Sequence, residues 1–266
     1  MVYILLFVVI MYGIGFCCTR YWMEYFIFLP KKLSKNYVFS FDIPFEEHWI
    51  EGEAGGKLNL LWFKVKNPKG TILYFHGNAD NLVRWGKIHQ DFTKRGYNIV
   101  IADYRGYGKS RGRKTERNML ADALQMYEYV AKQVNPAQII IYGRSIGSAF
   151  ATYTASEKQP PLLVLETPFF SIPALFESYY PGLSKLFWYK FNFRSDLYVQ
   201  KVACPIWVFH GTWDTVVPYG HAIKYKQLLD AQVRLVTLDG INHRDCNTTI
   251  SYQTELDKAL DLYEGR

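Results

Sequence analysis

A rhythm in the sequence constrains this chain more than any other feature. Short runs rich in β-branched and aromatic residues recur at 45–51, 58–65, 71–75, 98–102, 138–142, 162–166, 205–209 and 234–238. Several are apolar throughout rather than alternating, the pattern of strands covered on both faces. Helical periods separate the later runs. One follows Thr115, a residue able to cap a helix. It sets Met119, Leu120, Ala123, Leu124, Tyr127 and Val130 on one face, and Asn135-Pro136 closes it. A first antiparallel pair followed by βα alternation predicts an α/β fold: an eight-stranded, mostly parallel sheet flanked by helices. A chain of 266 residues is long enough for one such domain. With 49% hydrophobic and 21% charged residues, wholesale disorder is excluded.

Two segments fall outside the rhythm. Residues 2–19 carry no charge, close to the shortest run that spans a bilayer as a helix. Arg20 follows, and Tyr21, Trp22, Tyr25 and Phe26 form a pattern like an interfacial aromatic belt. A cleaved signal peptide is the competing reading, but no Lys or Arg precedes the run and no small-residue cleavage pattern follows it. We therefore expect residues 1–29 to be a single-pass N-terminal transmembrane helix with its interfacial segment, and residues 30–266 to be the folded domain. Arg20, Lys31, Lys32 and Lys35 all follow the run, which places the domain on the cytoplasmic side of the membrane. The second segment, 168–202, is a long connection crowded with Phe, Tyr and Trp. It reads either as a small helical cap that touches substrate or as an insertion packed on the core.

Chemistry concentrates where the run 138–142 ends. Gly143-Arg144-Ser145-Ile146-Gly147 has the form G-x-S-x-G, between an expected strand and an expected helix. By chance alone, about one chain in ten of this length would carry that pattern. Its strand-to-helix context makes it a nucleophile elbow, in which small neighbours are needed because the chains approach closely. A phosphate loop is the rival, but no G-K-[ST] follows.

A serine hydroxyl needs a base. His243 follows the run 234–238 and is the first candidate. His76 and His210 each sit in a His-Gly pair at a strand end, His48 and His89 precede the elbow, and His221 opens an expected helix. The imidazole in turn needs a carboxylate to fix its tautomer. Asp214, in a loop after the run 205–209, is favoured over Glu166, and Asp239 and Asp245 crowd His243 in sequence. For a developing oxyanion, the Ile146 N–H is one donor. The other comes from His76-Gly77-Asn78-Ala79, with Asn78 the first choice and Ala79 the second.

These pieces resemble the α/β-hydrolase superfamily and, more narrowly, the membrane-anchored Bem46-like group of ABHD13- and ABHD17-type hydrolases. The matching segments are HGNADN at 76–81, DYRGYGKS at 103–110, GRSIG at 143–147, ETPF at 166–169, HGTWDTVVP at 210–218 and GINHRD at 240–245. The resemblance implies a strand order 1-2-4-3-5-6-7-8 and serine hydrolase chemistry. It suggests an ester or thioester substrate, a small molecule or lipid, cleaved through an acyl-enzyme on Ser145. ABHD17-type members resemble protein depalmitoylases with a cysteine-rich tail, whereas here only Cys17 and Cys18 lie in the apolar run. A serine peptidase of the same fold and a non-catalytic scaffold are the alternative readings.

The net charge of +7 suits nucleic acid or an anionic membrane. Lys and Arg are dispersed, however, with no basic helical face interleaved with aromatics, so no nucleic-acid partner is expected. No H-E-x-x-H or paired C-x-x-C occurs, so neither a metal nor a cofactor is expected. Cys204 and Cys246 belong to opposite strand ends, too far apart for a disulfide.

Overall fold

The fold is that of a computed structural model, which describes residues 27–264 together with 3, 6, 7, 13 and 23–25. The expected anchor at 2–19 lies almost wholly outside the described residues. Among those described, no helix is long and apolar enough to cross a membrane. In chain order the elements are β1 (Phe45–Gly52), β2 (Gly56–Phe63), β3 (Gly70–Phe75), α1 (Leu82–Trp85), α2 (His89–Thr93), β4 (Tyr97–Ala102), α3 (Glu116–Ala131), β5 (Ile139–Arg144), α4 (Gly147–Lys158), β6 (Leu163–Glu166), α5 (Ile172–Tyr179), α6 (Ser195–Tyr198), β7 (Ile206–Gly211), α7 (Gly220–Leu228), β8 (Val233–Leu238) and α8 (Ile250–Glu264).

The strands form one sheet in the order β1-β2-β4-β3-β5-β6-β7-β8, as the family resemblance implies. β2 pairs antiparallel with β1 and β4, and the remaining pairings are parallel. The apolar runs follow from burial on both faces. Ile139 and Ile141 enter one core while Ile140 and Tyr142 enter the other, and Ile206 and Val208 are separated in the same way from Trp207 and Phe209. Helices α3, α4 and α7 cover the first face, and α1, α2 and α8 the second. Cys204 and Cys246 are buried in these opposite cores and form no disulfide.

Two local departures from the sequence expectation have physical causes. Thr115 caps α3 by accepting the Asn118 N–H at 3.1 Å. On that helix Met126 takes the buried place expected of Leu124, which is half-buried. Asp122 is buried there too, because Arg105 donates to it at 2.5 Å and 2.7 Å. The packed face is therefore wider than its apolar stripe. The second departure is at strand ends. β5 continues to Arg144 and β7 to Gly211, since the ladders pair Arg144 with Glu166 and Gly211 with Leu238. Backbone pairing does not require apolar side chains, and these polar ends form the carboxyl edge of the sheet.

Candidate active site

Ser145 occupies the step from β5 into α4 with φ of +52°, a left-handed backbone that is strained for a residue with a side chain. Its neighbours must be glycine. A Cβ on Gly143 would come within 2.5 Å of Ala151 Cβ, and one on Gly147 within 2.0 Å of the Phe75 carbonyl oxygen. Hydrogen bonds hold the turn. The Ser145 N–H donates to the Glu166 carbonyl at 2.9 Å, and the Ser145 carbonyl accepts the Ser148 N–H at 2.9 Å and the Ser148 hydroxyl at 2.6 Å.

The loop after β8 brings His243 to this turn. Its Nε2 lies 3.0 Å from Ser145 Oγ, and its Nδ1 lies 2.7 Å from Asp214 Oδ2. An ionised carboxylate only accepts, so Nδ1 carries the hydrogen and Nε2 offers its lone pair to the hydroxyl. Asp214 is fixed in turn. Its Oδ1 accepts the N–H groups of Val216 at 2.8 Å and Val217 at 2.7 Å, and His210 Nε2 lies 3.1 Å from Oδ2. Burial pushes the Asp214 carboxyl up, but the hydrogen bonds from His210 and His243, the His243 charge and the Val217 N–H outweigh it. They hold the group well below the usual carboxylate range. An imidazole so placed is able to take the serine proton and later return it to a leaving group.

The rival carboxylates are engaged elsewhere. Glu166 is fully buried, accepts the Tyr142 hydroxyl at 2.7 Å and faces Arg144 at 3.3 Å. Asp239 accepts from Thr212 at 3.0 Å, and Asp245 from Asn242 at 2.5 Å. The other histidines also have local partners. His76 bonds Gly77 O at 2.7 Å, His48 meets Tyr129 at 2.8 Å, His89 meets Asp42 at 2.8 Å and His221 accepts the Phe170 N–H at 3.1 Å.

The loop after β3 is tied through one side chain. Asn78 Oδ1 accepts the N–H groups of Leu29 at 2.9 Å and Ala79 at 2.7 Å, and the Tyr107 hydroxyl at 2.8 Å. The Ala79 N–H is thereby committed. The Asn78 and Ile146 N–H groups have no protein acceptor among the described residues. Segment 103–110 underlies this loop: Tyr104 donates to the His76 carbonyl at 2.7 Å, and Asp103 faces His76 at 3.5 Å.

Asn78, Ser145, Ile146 and His243 line one cavity of about 460 Å³, within the usual size for a small-molecule site. Phe169, Ile172 and Leu175 of the 168–202 segment form part of its wall. Other aromatics of that segment pack away from it. Phe191 and Phe193 are fully buried, with ring centroids 4.9 Å and 6.3 Å from Phe28. Residues of this one segment thus both line the cavity and pack on the core.

Sequence reasoning missed three features. His210 braces Asp214; its i,i+4 spacing in HGTWD was an available signal. Arg144 reaches from the elbow to the His243 loop, donating to the Arg244 carbonyl at 2.9 Å. Arg84 and Arg244 line the cavity, and no local pattern marks them. Among the described residues, no group of three His, Cys, Asp or Glu side chains is placed to hold a metal ion.

A serine–imidazole–carboxylate line at the carboxyl edge of a sheet with this strand order defines the α/β-hydrolase class. Comparison with known proteins agrees. The family described as serine aminopeptidase, S33 (Hydrolase_4) matches residues 66–200, just over half of the chain. Lysophosphatidylserine lipase ABHD12 of Danio rerio is 33% identical over 217 residues, covering 72% of this chain and 54% of its own length. The alpha/beta hydrolase domain-containing protein aho-3 of Caenorhabditis elegans is 30% identical over 204 residues, covering 74% of this chain and 59% of its own. The chain thus spans about half the length of the curated relatives it matches. An esterase from Pyrococcus furiosus superposes with a TM-score of 0.68 at 19% identity, covering 90% of this chain and 98% of that one, a likeness of fold. The chain belongs to this family of α/β-hydrolase serine hydrolases.

Proposed function

We propose that the protein is a membrane-anchored esterase or thioesterase that cleaves acyl esters of lipids or small molecules. The observation that carries this reading is the continuous line Ser145–His243–Asp214, at 3.0 Å and 2.7 Å. In this mechanism Ser145 Oγ attacks the carbonyl carbon while its proton passes to His243 Nε2. The N–H groups of Ile146 and Asn78 stabilise the oxyanion, and Asp214 holds the imidazole in the useful tautomer. The C–O or C–S bond breaks, the leaving group departs with the proton from His243, and water then releases the acid from the acyl-enzyme. Support for a lipid substrate comes from the apolar wall formed by residues 169–175 and from the relative named as a lysophosphatidylserine lipase.

In this reading residues 1–29 anchor the protein, and residues 30–266 form a hydrolase domain on the cytoplasmic side with 168–202 as its cap. Segment 29–31 then joins the anchor to the oxyanion loop, since Leu29 and Asp80 are hydrogen-bonded through their backbones at 3.0 Å and Lys31 donates to Asp80 at 3.1 Å.

The family description favours a second reading, a serine aminopeptidase. An aminopeptidase must hold an α-ammonium group, and the residues lining the cavity include no Asp or Glu to pair with it. A fluorophosphonate probe tests the proposal. We expect wild-type protein to be labelled and to hydrolyse p-nitrophenyl esters, and Ser145→Ala to lose labelling and at least about 10³-fold in rate. Undiminished labelling of the variant would remove Ser145 from the mechanism.

A further inference from the structure

One buried ion pair touches both the turn that carries Ser145 and the loop that carries His243. Arg144 and Glu166 are neighbours across the ladder of β5 and β6. Both are buried, and their charges face each other at 3.3 Å. The main chain of Glu166 holds the nucleophile, since its carbonyl accepts the Ser145 N–H at 2.9 Å. The side chain of Arg144 holds the base. Its Nη2 donates to the Arg244 carbonyl at 2.9 Å and to the His243 carbonyl at 3.4 Å, and its Nη1 donates to Asn247 Oδ1 at 3.4 Å. Among the described residues no other donor reaches those two carbonyls. Asn242, Arg244 and Asp245 are exposed, so packing alone fixes little of this loop. Charge balance keeps the guanidinium in place. Burial opposes its protonation, but Glu166 outweighs burial and strengthens the hold on the proton. Tyr142 donates to Glu166 Oε2 at 2.7 Å, while Oε1 makes no hydrogen bond and has Arg144 as its counter-charge.

We propose that Arg144 is a positioning residue for hydrolysis: its guanidinium, balanced by Glu166, clamps the His243 loop to the strand end that carries Ser145 and so sets the spacing of base and nucleophile. This role rests on the Ser145–His243–Asp214 reading above. Arg144 adjoins the nucleophile in the chain, so a single side chain ties the two reacting partners together. A planar fork can serve the loop carbonyls with one nitrogen and face Glu166 and Asn247 with the other, whereas lysine offers one point charge. A misplacement of about 1 Å at the reacting groups costs about 10²-fold in rate.

The experiment separates clamping from the burial of charge. Wild type, Arg144→Lys, Arg144→Met, Glu166→Gln and Arg144→Met/Glu166→Gln are compared by thermal melts, p-nitrophenyl ester kinetics and the rate of fluorophosphonate labelling. Arg144→Met should lower kcat about 10²-fold with KM changed less than about threefold, and labelling should slow in parallel. It should also melt lower, because a buried carboxylate is left without its counter-charge. The double variant removes both charges, so its melting temperature should recover while kcat stays low. Arg144→Lys keeps the charge and should melt near wild type, yet remain at least about tenfold slower; it decides the matter if the methionine variants fail to fold. Glu166→Gln leaves the guanidinium on the carbonyls and should keep more activity than Arg144→Met. If kcat returned with stability in the double variant, or Arg144→Lys or Arg144→Met matched wild type in kcat, Arg144 would only balance a buried charge, and the positioning role would be overturned with the triad standing. A raised KM with unchanged kcat would also overturn it, making Arg144 a substrate contact, since it lines the cavity. If the wild type neither cleaves esters nor is labelled at Ser145, the triad reading fails and the positioning role with it.

Discussion

The two walls of the cavity are built on different principles. On the sheet side the groups around Ser145 are held by directional hydrogen bonds. Ser145 is held through its N–H and carbonyl, Asp214 accepts from two backbone N–H groups and His243 with His210 Nε2 3.1 Å away, and Asn78 Oδ1 accepts three bonds. In the 168–202 segment, proposed above as the cap, Phe169, Ile172 and Leu175 line the cavity, Phe191 and Phe193 are sealed into the core, and Leu183 and Leu186 are exposed. Directional bonds fix atoms to within a fraction of an ångström, whereas apolar contact fixes only volume and area. In the proposed mechanism the sheet edge would set the geometry of reaction, and the 168–202 segment would set the choice of acyl group.

The largest expected effect attacks the sheet side. Asp214→Asn should lower kcat by about 10⁴-fold, because Asn donates where His243 Nδ1–H needs an acceptor and the wrong tautomer results. Glu166→Gln, which keeps the shape and the Tyr142 contact, should cost less. Steady-state kinetics with thermal melts check both variants. A greater loss of kcat in Glu166→Gln would transfer the role of acid to Glu166.

The same contrast explains what could be read in the sequence. Elements of the sheet side announce themselves locally. Gly143 and Gly147 are required by approaches of 2.5 Å and 2.0 Å, and a two-residue period splits each apolar run between two cores. The cap has no such code. Phe169, Phe191 and Tyr180 look alike in sequence, yet one lines the cavity, one is buried against Phe28, and one is 54% exposed. Their fates are decided by partners distant in the chain. Arg84 and Arg244 were hidden for the same reason, since the fold brings residues far apart in the chain to line one cavity. Strand ends were misplaced by two residues where Gly143, Arg144, His210 and Gly211 extend the ladders, and at both ends of β2, expected over 58–65 and found over Gly56–Phe63.

Acid should expose the joint between the two walls. His221, on α7, accepts the Phe170 N–H at 3.1 Å and meets Ser178 of α5 at 3.1 Å. Burial, aided by the charges of Lys224 and His210 and opposed by Asp214, lowers its pKa from 6.5 to about 4. Between those values the unfolded chain binds a proton that the folded protein refuses. Stability from this group is complete above pH 6.5 and falls as pH drops toward 4, by about 3 kcal/mol at most. Urea midpoints at pH 7, 5 and 4 measure it, and His221→Gln should lose less over that range than wild type. Equal losses would mean that the joint is not sensed through His221.

Acyl-chain length asks whether the cap wall is used. Each CH₂ moved from water to an apolar wall contributes about 0.8 kcal/mol, so four added carbons raise kcat/KM by roughly two orders of magnitude if all are accommodated. Acetyl, butyryl and octanoyl esters below their micelle concentrations provide the series. A steady fall from acetyl onward would mean that Phe169, Ile172 and Leu175 only close the core.

The smallest expected effect lies on the outer face of the cap. Leu183 and Leu186 are 44% and 56% exposed, so replacing both by Ser removes little packed area and leaves no buried polar group. Stability should stay within about 0.5 kcal/mol of wild type for each change. Neither residue lines the cavity, so kcat/KM for a soluble short-chain ester should change less than about twofold. Phe193→Ala, in the same segment but at 0% exposure, provides the contrast, with an expected cost of about 3–5 kcal/mol. Chemical denaturation of the three variants, paired with ester kinetics, separates the two halves of the cap. If Leu183→Ser or Leu186→Ser destabilised the protein as much as Phe193→Ala, the outer face would be packed rather than open, and the division drawn here within 168–202 would be wrong.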